Sequence, residues 1–210
     1  MSPVTASRLP LDTPQRGHAQ QTRQELITAT RQVIAAGTRL HAEAVARRAG
    51  MSTASFYGYF ASKHGALVAA ADQVLEELNA TIAGLLTVER LLDGGLAALS
   101  RELLASVAAT LRENAPTLRL ARARLAEDGE LRDVFRARER ELLAVLRRFV
   151  ELGAAAGRIR DADHAAIAAA LLITVQGYDN SVLLKLDPTD SAAVELAVMV
   201  ERLLAPPVSR

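Results

Sequence analysis

The chain of 210 residues contains, near its N-terminal end, the stretch Gly50-Met51-Ser52-Thr53-Ala54-Ser55-Phe56-Tyr57-Gly58-Tyr59-Phe60-Ala61-Ser62-Lys63. Four of the seven aromatic residues fall within five consecutive positions of it. Gly50 suits a tight turn, because positive φ costs glycine least. Ser52 is a preferred N-cap residue, so the stretch predicts a short helix that starts at Thr53, and Ser62 offers a second N-cap for the helix that follows.

The aromatic spacing predicts which side of the short helix is buried. Phe56, Tyr59 and Phe60 are related as i, i+3 and i+4, which places them together on an inward face. The residues left outward are Thr53, Ala54, Ser55 and Tyr57. A short exposed polar turn that is anchored by aromatics and followed by Lys63 is typical of a DNA recognition helix.

Two helices are predicted before this stretch. The first starts near Gln21 or Thr22 and ends at Gly37, and the second runs from about His41 to Ala49. Their buried stripes are predicted to be Leu26, Thr30, Val33 and Ile34, then Ala42, Val45, Ala46 and Ala49. Arg47 and Arg48 lie outside the second stripe. With the Gly50 turn and the Thr53 helix, the second helix forms a helix-turn-helix. Residues 1–20 are predicted to form a mobile arm, in which Arg8 and Arg16 either reach a DNA minor groove or are simply solvated.

Residues 22–70 resemble the N-terminal domain of the TetR family of bacterial transcriptional regulators. The matching residues are Ala46-(x)3-Gly50-Met51-Ser52-(x)3-Phe56-Tyr57-Gly58-Tyr59-Phe60-(x)2-Lys63, similar to that family's A-x-x-x-G-V-S-x-x-x-L-Y-x-Y-F-x-x-K signature. The resemblance implies an all-α fold of about nine helices: a helix-turn-helix DNA-binding domain over residues 21–70, and an effector-binding and dimerisation domain over residues 71–210.

The resemblance also implies roles for individual residues. Tyr57 and Tyr59 would contact phosphates or a thymine methyl, Lys63 would hold a phosphate, and the Thr53 turn would approach base edges. A Lys at a helix N-terminus is suited to phosphate on physical grounds as well. The expected DNA-binding residues are Arg47, Ser52, Thr53, Ala54, Ser55, Tyr57, Gly58, Tyr59 and Lys63. Because this helix has no Arg or Gln for a bidentate base contact, we expect moderate specificity assisted by DNA shape.

Some positions depart from the family pattern. The connection from Gly37 to Ala46 is one residue short, and Leu40-His41 stands where a capping Thr pair is common, which weakens the start of the second helix. Glu43 is unfavourable near phosphates. Gly58 costs about 1 kcal/mol of helix stability relative to Ala; it either lets the backbone approach DNA or has no role.

Composition and charge agree with a helical regulator. Half of the residues are hydrophobic, Ala and Leu dominate, and there is no Cys, which excludes disulfides and thiol chemistry. Residues 1–64 carry eight Lys and Arg against three Asp and Glu, and residues 65–210 carry 17 against 21. A basic N-terminal end suits a polyanionic partner, with chance as the alternative.

Without a signal peptide or membrane span, a cytoplasmic location is expected. His18, His41, His64 and His164 show no metal-ligand spacing, so we expect no enzyme, metal or cofactor.

Further helices are predicted in the body. Helix four runs from Lys63 through Ile82, and Asp93-Gly94-Gly95 weakens helix five early. Pro116 fits the first turn of a short helix six. Helix seven covers about Glu130 to Ala156. Helix eight starts at Asp161 or Asp163 and continues to about Leu186, and helix nine ends at Pro206-Pro207.

Helix eight is apolar all round between Ala165 and Val175, so it must be buried on every side. A homodimer through helices eight and nine would bury it, with a monomeric core as the alternative. The interface residues expected are Ala168, Leu172, Val175, Val194 and Val198.

The resemblance also implies a small-molecule effector enclosed by helices five to eight. Because the body has few aromatics, an aliphatic or modestly polar effector suits it best. The candidate contacts are Leu103, Val107, Arg119, Arg122, Phe135, Gln176, Tyr178 and Asn180. Each of them could equally be an ordinary core or surface residue.

The sequence thus favours a repressor released from a palindromic DNA operator by its effector. The alternatives are a similar dimeric small-molecule-binding module with weakened or lost DNA binding, and a purely structural helical protein.

Overall fold

A computed structural model describes residues 13–177 and 190–207, with side chains from residue 17 onward. Within these ranges every regular element is a helix, so the expected all-α class is confirmed. The helices are α1 (Thr13–Ala35), α2 (Ala42–Arg48), α3 (Thr53–Tyr59), α4 (Lys63–Leu85), α5 (Val88–Arg122), α6 (Gly129–Ala155), α7 (His164–Gly177) and α8 (Ser191–Leu204). The chain divides into two compact units, Met1–Ala70 and Ala71–Arg210.

Helix α1 starts at Thr13, well before the expected Gln21 or Thr22. Residues 13–20 are therefore helical, and the expectation of an arm over residues 1–20 is wrong for this part; residues 1–12 lie outside the described ranges. Pro14 indicated an arm in the sequence, but it falls in the first turn of α1, where the missing N–H costs nothing. The predicted stripe Leu26, Thr30, Val33 and Ile34 is buried as expected.

The turns of the first unit are made by glycines in the left-handed region. After α1, Gly37 has φ 68°, and Thr38 N–H donates to Val33 O at 3.2 Å. After α2, Gly50 has φ 70°, and Met51 N–H donates to Ala46 O at 2.8 Å. Both are Schellman endings, in which a residue with positive φ lets the chain satisfy its last carbonyls.

Two breaks are expected in this part of the second unit: the weak point at Asp93-Gly94-Gly95 is confirmed, and the new helix at Pro116 is absent. Pro116 lies inside α5 and does not begin a separate helix. The interruption is at Gly95, whose φ of 71° and ψ of 172° are not helical. Glycine adopts that backbone freely, whereas proline keeps a φ compatible with a helix and loses one hydrogen bond. Buried Ala115, Thr117 and Leu118 keep the segment around Pro116 packed.

Helices α4 and α6 are joined in the second unit by the side chain of Arg138. Its Nε lies 2.7 Å from Asp72 Oδ1, and its two terminal nitrogens lie 3.2 Å from Glu76 Oε2 and 3.0 Å from Glu141 Oε2. The hydrogen bond to Asp72 raises the pKa of Arg138 above its ordinary value, against the opposing effect of burial. Asn79 adds a hydrogen bond from Nδ2 to Arg138 O at 2.9 Å.

The C-terminal end of α6 packs closely against the connection that follows it. Gly153 is buried, and a Cβ at this position would lie 2.5 Å from Ile159 Cδ1 and 3.2 Å from Leu91 Cδ2. The connection is also tied to α8, because Arg160 N–H donates to Leu204 O at 2.8 Å. A larger residue at position 153 would therefore force the side chain of Ile159 to shift, and the constraint comes from space and not from backbone angle.

Helix α7 corresponds to the predicted helix eight and begins with the predicted cap. Asp163 Oδ1 accepts from the N–H groups of Ala165 and Ala166, both at 3.0 Å. The expected continuation to Leu186 lies outside the described residues. The expected burial of α7 on every side included a second copy of the chain and stays a prediction; in the single chain one face is covered and Ile173 is 68% exposed. In the described ranges, no helix has the length and apolar character needed to span a membrane.

Candidate nucleic-acid interface

The start of α3 is fixed by two serines. Ser52 has an extended backbone with φ −77° and ψ 154°, and its hydroxyl accepts a hydrogen bond from Ser55 N–H at 3.0 Å. The two hydroxyls lie 2.9 Å apart. The predicted N-cap is thus confirmed, and the hydroxyl of Ser55, expected near base edges, is held against that of Ser52.

Two phenylalanines hold α3 from behind. Phe56 is fully buried and Phe60 is 5% exposed. Their ring centroids are 5.7 Å apart, and the ring of Tyr57 meets Phe56 edge-on at 5.4 Å. Tyr59 is only half-buried, so the predicted inward face is formed mainly by the phenylalanines. With such an anchor, α3 presents its other side as a rigid surface.

The remaining predicted contacts of this segment face solvent to different extents. Tyr57 is 54% exposed, and Thr53 is partly exposed. The other exposed residues of this set are Arg47, Ser52, Ala54, Ser55, Gly58 and Lys63. The predicted DNA-binding residues are therefore accessible on the first unit, and none of them is in its core.

A second predicted cap places Lys63. Ser62 Oγ accepts from Gly65 N–H at 3.2 Å, and Ser62 O accepts from Ala66 N–H at 3.3 Å. Lys63 is thus the first residue of α4, where free backbone N–H groups and the helix dipole favour an anion.

Arg23 is a cation that the sequence reasoning missed at this surface. Its guanidinium carbon lies 5.3 Å from the centre of the Phe60 ring, which is within the range of a cation–π contact. Arg23 belongs to α1 and is exposed. No local pattern indicates the pairing, because the two residues are far apart in sequence and meet only when α1 packs on the helix-turn-helix.

The predicted weakness of α2 is present in the structure. Its N-cap is His41, whose side chain makes no capping hydrogen bond. Glu43 in the first turn is exposed. The helix is instead tied to α1, because Arg48 Nε donates to Gln32 Oε1 at 2.7 Å.

The second unit contains a small cavity of about 40 Å³. It brings together three of the predicted effector contacts, Arg122, Phe135 and Gln176. Leu103 and Val107 are buried but do not line it, and Arg119 is exposed, so this cavity does not include these three predicted contacts. Tyr178 and Asn180 lie outside the described residues. Across the described ranges, no group of three or more His, Asp or Glu is arranged to hold a metal ion.

The residues expected at a dimer interface divide into two groups. Ala168 and Val175 are 0% and 4% exposed in the single chain, so little of either side chain is available to a second copy. Their inward orientation was not visible in a helix that is apolar on all sides. Val194 is 42% exposed, and Leu172 and Val198 are partly exposed. Exposed Ile173 and Met199, which the sequence reasoning did not single out, extend the apolar surface of α7 and α8.

Comparison with known proteins gives a consistent result. Residues 26–71 match the family model described as bacterial regulatory proteins, tetR family, and no curated protein matches the sequence. The fold is similar to that of a putative TetR-family transcriptional regulator from Mesorhizobium loti MAFF303099, with TM-score 0.68 and 22% identity over 88% of this chain and 93% of that one. A TetR transcription regulator from Haloarcula marismortui ATCC 43049 gives TM-score 0.71 and 21% identity over 89% and 99%. Salmonella enterica GusR gives 0.70 and 19% over 88% and 95%.

The match to the family model includes the C-terminal half of α1, the whole helix-turn-helix and the start of α4. The structural similarity extends over most of the chain in each comparison. Residues 26–71 therefore match the DNA-binding domain model of the tetR family, and the chain has the fold of TetR-family transcriptional regulators, with an N-terminal helix-turn-helix domain.

Proposed function

We propose that this protein is a DNA-binding transcriptional repressor that acts as a homodimer and leaves a palindromic operator when a small molecule binds its second unit. The observation that carries the DNA-binding part is the arrangement of α3, where Phe56 and Phe60 are buried while Tyr57 is 54% exposed. Such a helix can enter a major groove without deforming, because its rear face is already packed.

The contacts divide into positioning contacts and base contacts. Lys63 at the start of α4 and the hydroxyl of Tyr57 are suited to phosphates, which give affinity and register. Arg23 and Arg47 add positive charge to the same unit and are both exposed. Thr53 and Ala54 offer methyl groups that can contact a thymine methyl. We therefore propose that affinity is mainly electrostatic and that sequence preference is moderate.

Dimerisation through α7 and α8 would bury Ile173 and Met199, which are 68% and 50% exposed in the single chain. A two-fold dimer presents two copies of α3, and these read two half-sites about 34–36 Å apart on a palindromic operator. Release then requires an effector that prefers the conformation unable to span the half-sites. A coupling of about 1–3 kcal/mol is enough for a 5- to 150-fold loss of DNA affinity.

The proposal is tested by titrating the full-length protein against a duplex from upstream of its own gene and against a shuffled duplex of equal length, at one fixed salt concentration. We expect the upstream duplex to bind at least tenfold more tightly, with two subunits per duplex. Equal and weak binding of both would favour the alternative, a dimeric small-molecule-binding module that has lost its operator. The uncapped start of α2 and the exposed Glu43 are the features that agree with that alternative.

A further inference from the structure

The contact between Arg23 and Phe60 links α1 to the end of α3. The guanidinium carbon of Arg23 lies 5.3 Å from the centre of the Phe60 ring. Phe60 is the C-cap residue of α3, and its N–H donates to Phe56 O at 2.9 Å. Because Phe60 is 5% exposed and its ring packs against that of buried Phe56, it is a fixed support. The cation is therefore held at a defined place beside the C-terminal end of α3.

The contact with the ring leaves part of the guanidinium for another partner. A guanidinium carries five N–H donors in a fixed plane. One ring meets only one side of such a group, so the remaining donors stay available to an anion. Arg23 is also exposed, so an anion in solution can reach these donors.

The surroundings of Arg23 favour an anion from outside the chain. On α1, the side chains three and four positions away share its side of the helix, and these are Ala19, Gln20, Leu26 and Ile27, none of which is acidic. Glu25 is two positions away, on a different side of α1, and accepts a hydrogen bond from Gln21 Nε2 at 3.2 Å. Over residues 17–70, six Lys and Arg stand against two Asp and Glu. The field around Arg23 is therefore positive.

The place of Arg23 suits the phosphate backbone better than a base edge. Helix α3 has seven residues and is thus about 10 Å long. The major groove is about 12 Å wide, so a helix of this length extends over most of the distance between its walls. When the first turn of α3 meets base edges, a cation beside its last turn lies within reach of the phosphates that border the groove.

We propose that Arg23 binds a phosphate of the DNA backbone, and that the ring of Phe60 positions its guanidinium for this contact. Phe60 then has two roles, since it anchors α3 and also supports the cation of α1. A phosphate contact fixes register and orientation and carries no sequence information. This deepens the proposed function by assigning a DNA contact to α1, and it rests on that function because it needs a duplex at the same surface.

Two substitutions separate the charge of Arg23 from its packing. Arg23→Met keeps an unbranched apolar side chain over Phe60 and removes the charge, whereas Arg23→Lys keeps the charge and removes the planar group. Affinity of the full-length protein is measured on the upstream duplex and on the shuffled duplex over a range of salt concentrations. We expect Arg23→Met to lower the slope of log affinity against log salt by about 1 for each subunit, equally on both duplexes. Arg23→Lys should keep the slope of the parent.

Arg101→Met is the matched control, because Arg101 is an exposed cation of α5 in the second unit. It should leave the slope unchanged. Equal slopes of Arg23→Met and the parent would show that Arg23 only covers the ring of Phe60, and would overturn the proposal. A slope lowered as much in Arg23→Lys, or in Arg101→Met, would overturn it as well.

Duplexes with a single uncharged methylphosphonate linkage locate the phosphate. We expect one position in each half-site at which the uncharged linkage weakens binding of the parent severalfold and leaves binding of Arg23→Met unchanged, because the variant has no charge to lose there. Equal losses of parent and variant at every position would contradict the contact.

The two duplexes keep this proposal separate from the proposed function. A parent that prefers the upstream duplex, together with an unchanged slope in Arg23→Met, overturns the Arg23 contact and leaves the regulator intact. A parent that binds both duplexes equally, with a slope that falls in Arg23→Met, supports the phosphate contact and overturns the operator-specific regulator.

Discussion

The hydroxyl of Ser52 accepts a hydrogen bond from the backbone N–H of Ser55 at 3.0 Å, and this bond closes the first turn of α3. Because α3 has only seven residues, its stability depends more on its ends and its packing than on propagation along the helix. The cap therefore bears directly on whether the outward face of α3 is held ready for DNA.

Loss of this cap has a measurable cost. Ser52→Ala should lower the free energy of unfolding by about 1 kcal/mol, as expected for a serine N-cap, and should weaken DNA binding in proportion. Ser191→Ala is the control, because Ser191 is exposed and follows the N-cap residue of α8. Urea denaturation and amide hydrogen exchange of α3 provide the measurements. Equal effects of the two substitutions would show that the cap does not stabilise α3.

Two glycines of the helix-turn-helix should respond oppositely to alanine. Gly50 has φ 70°, and a Cβ there meets no atom within 4 Å, so Gly50→Ala is costly through backbone conformation alone. We expect a loss of about 1 kcal/mol or more. Gly58 lies within α3, and a Cβ there also has open space. Gly58→Ala should raise the stability by up to about 1 kcal/mol. Denaturation of both variants tests the assignment, and a stabilised Gly50→Ala would contradict it.

The close packing at Gly153 gives a third prediction. An added methyl group would overlap with Ile159, at 2.5 Å from Cδ1 and 2.8 Å from Cγ1. Gly153→Ala should therefore destabilise the second unit by about 1–3 kcal/mol, the usual cost of overpacking a core. The double variant Gly153→Ala/Ile159→Val removes Cδ1 and should recover part of the loss. Thermal unfolding that is unchanged in the single variant would exclude this packing.

Several of these features were predictable because they are local. The caps Ser52 and Ser62 and the anchors Phe56 and Phe60 follow from spacings of one to four residues, and the structure confirms them. The weak point at Asp93-Gly94-Gly95 was also predicted from local residues, and α5 is interrupted there at Gly95. The helix predicted to begin at Pro116 is absent, because whether a proline interrupts a helix depends on how the surrounding core packs that segment.

Features that depend on tertiary packing could not be predicted. In α7 an apolar residue occupies nearly every position, so the pattern carries no information on which side meets the core; Ala168 is buried and Ile173 is exposed. Likewise, only the packing of α5 in the folded chain shows that Arg119 is exposed and Arg122 is half-buried. The contacts of Arg138 with Asp72 and Glu76 join positions more than sixty residues apart and become visible only in the folded chain.

The proposed dimer is tested at its exposed apolar surface. Ile173→Glu would place a charge on the exposed apolar side of α7 and should convert the proposed dimer to monomer at micromolar concentration. Leu152→Glu is a matched control, because Leu152 is an exposed leucine of α6, at 43% against 68% for Ile173. Sedimentation velocity distinguishes the two states. A monomer in the Leu152 variant, or a dimer in the Ile173 variant, would place the interface elsewhere.

The most direct test of the central claim is the salt dependence of DNA binding, measured by fluorescence anisotropy on the upstream duplex for the parent and for Lys63→Ala and Arg101→Ala. Lys63 begins α4 beside the recognition helix, whereas Arg101 is an exposed cation of α5. We expect Lys63→Ala to lower the slope of log affinity against log salt by about 1 for each lost phosphate contact, and Arg101→Ala to leave it unchanged. A slope in the Lys63 variant equal to that of the parent would contradict the claim that this surface binds DNA.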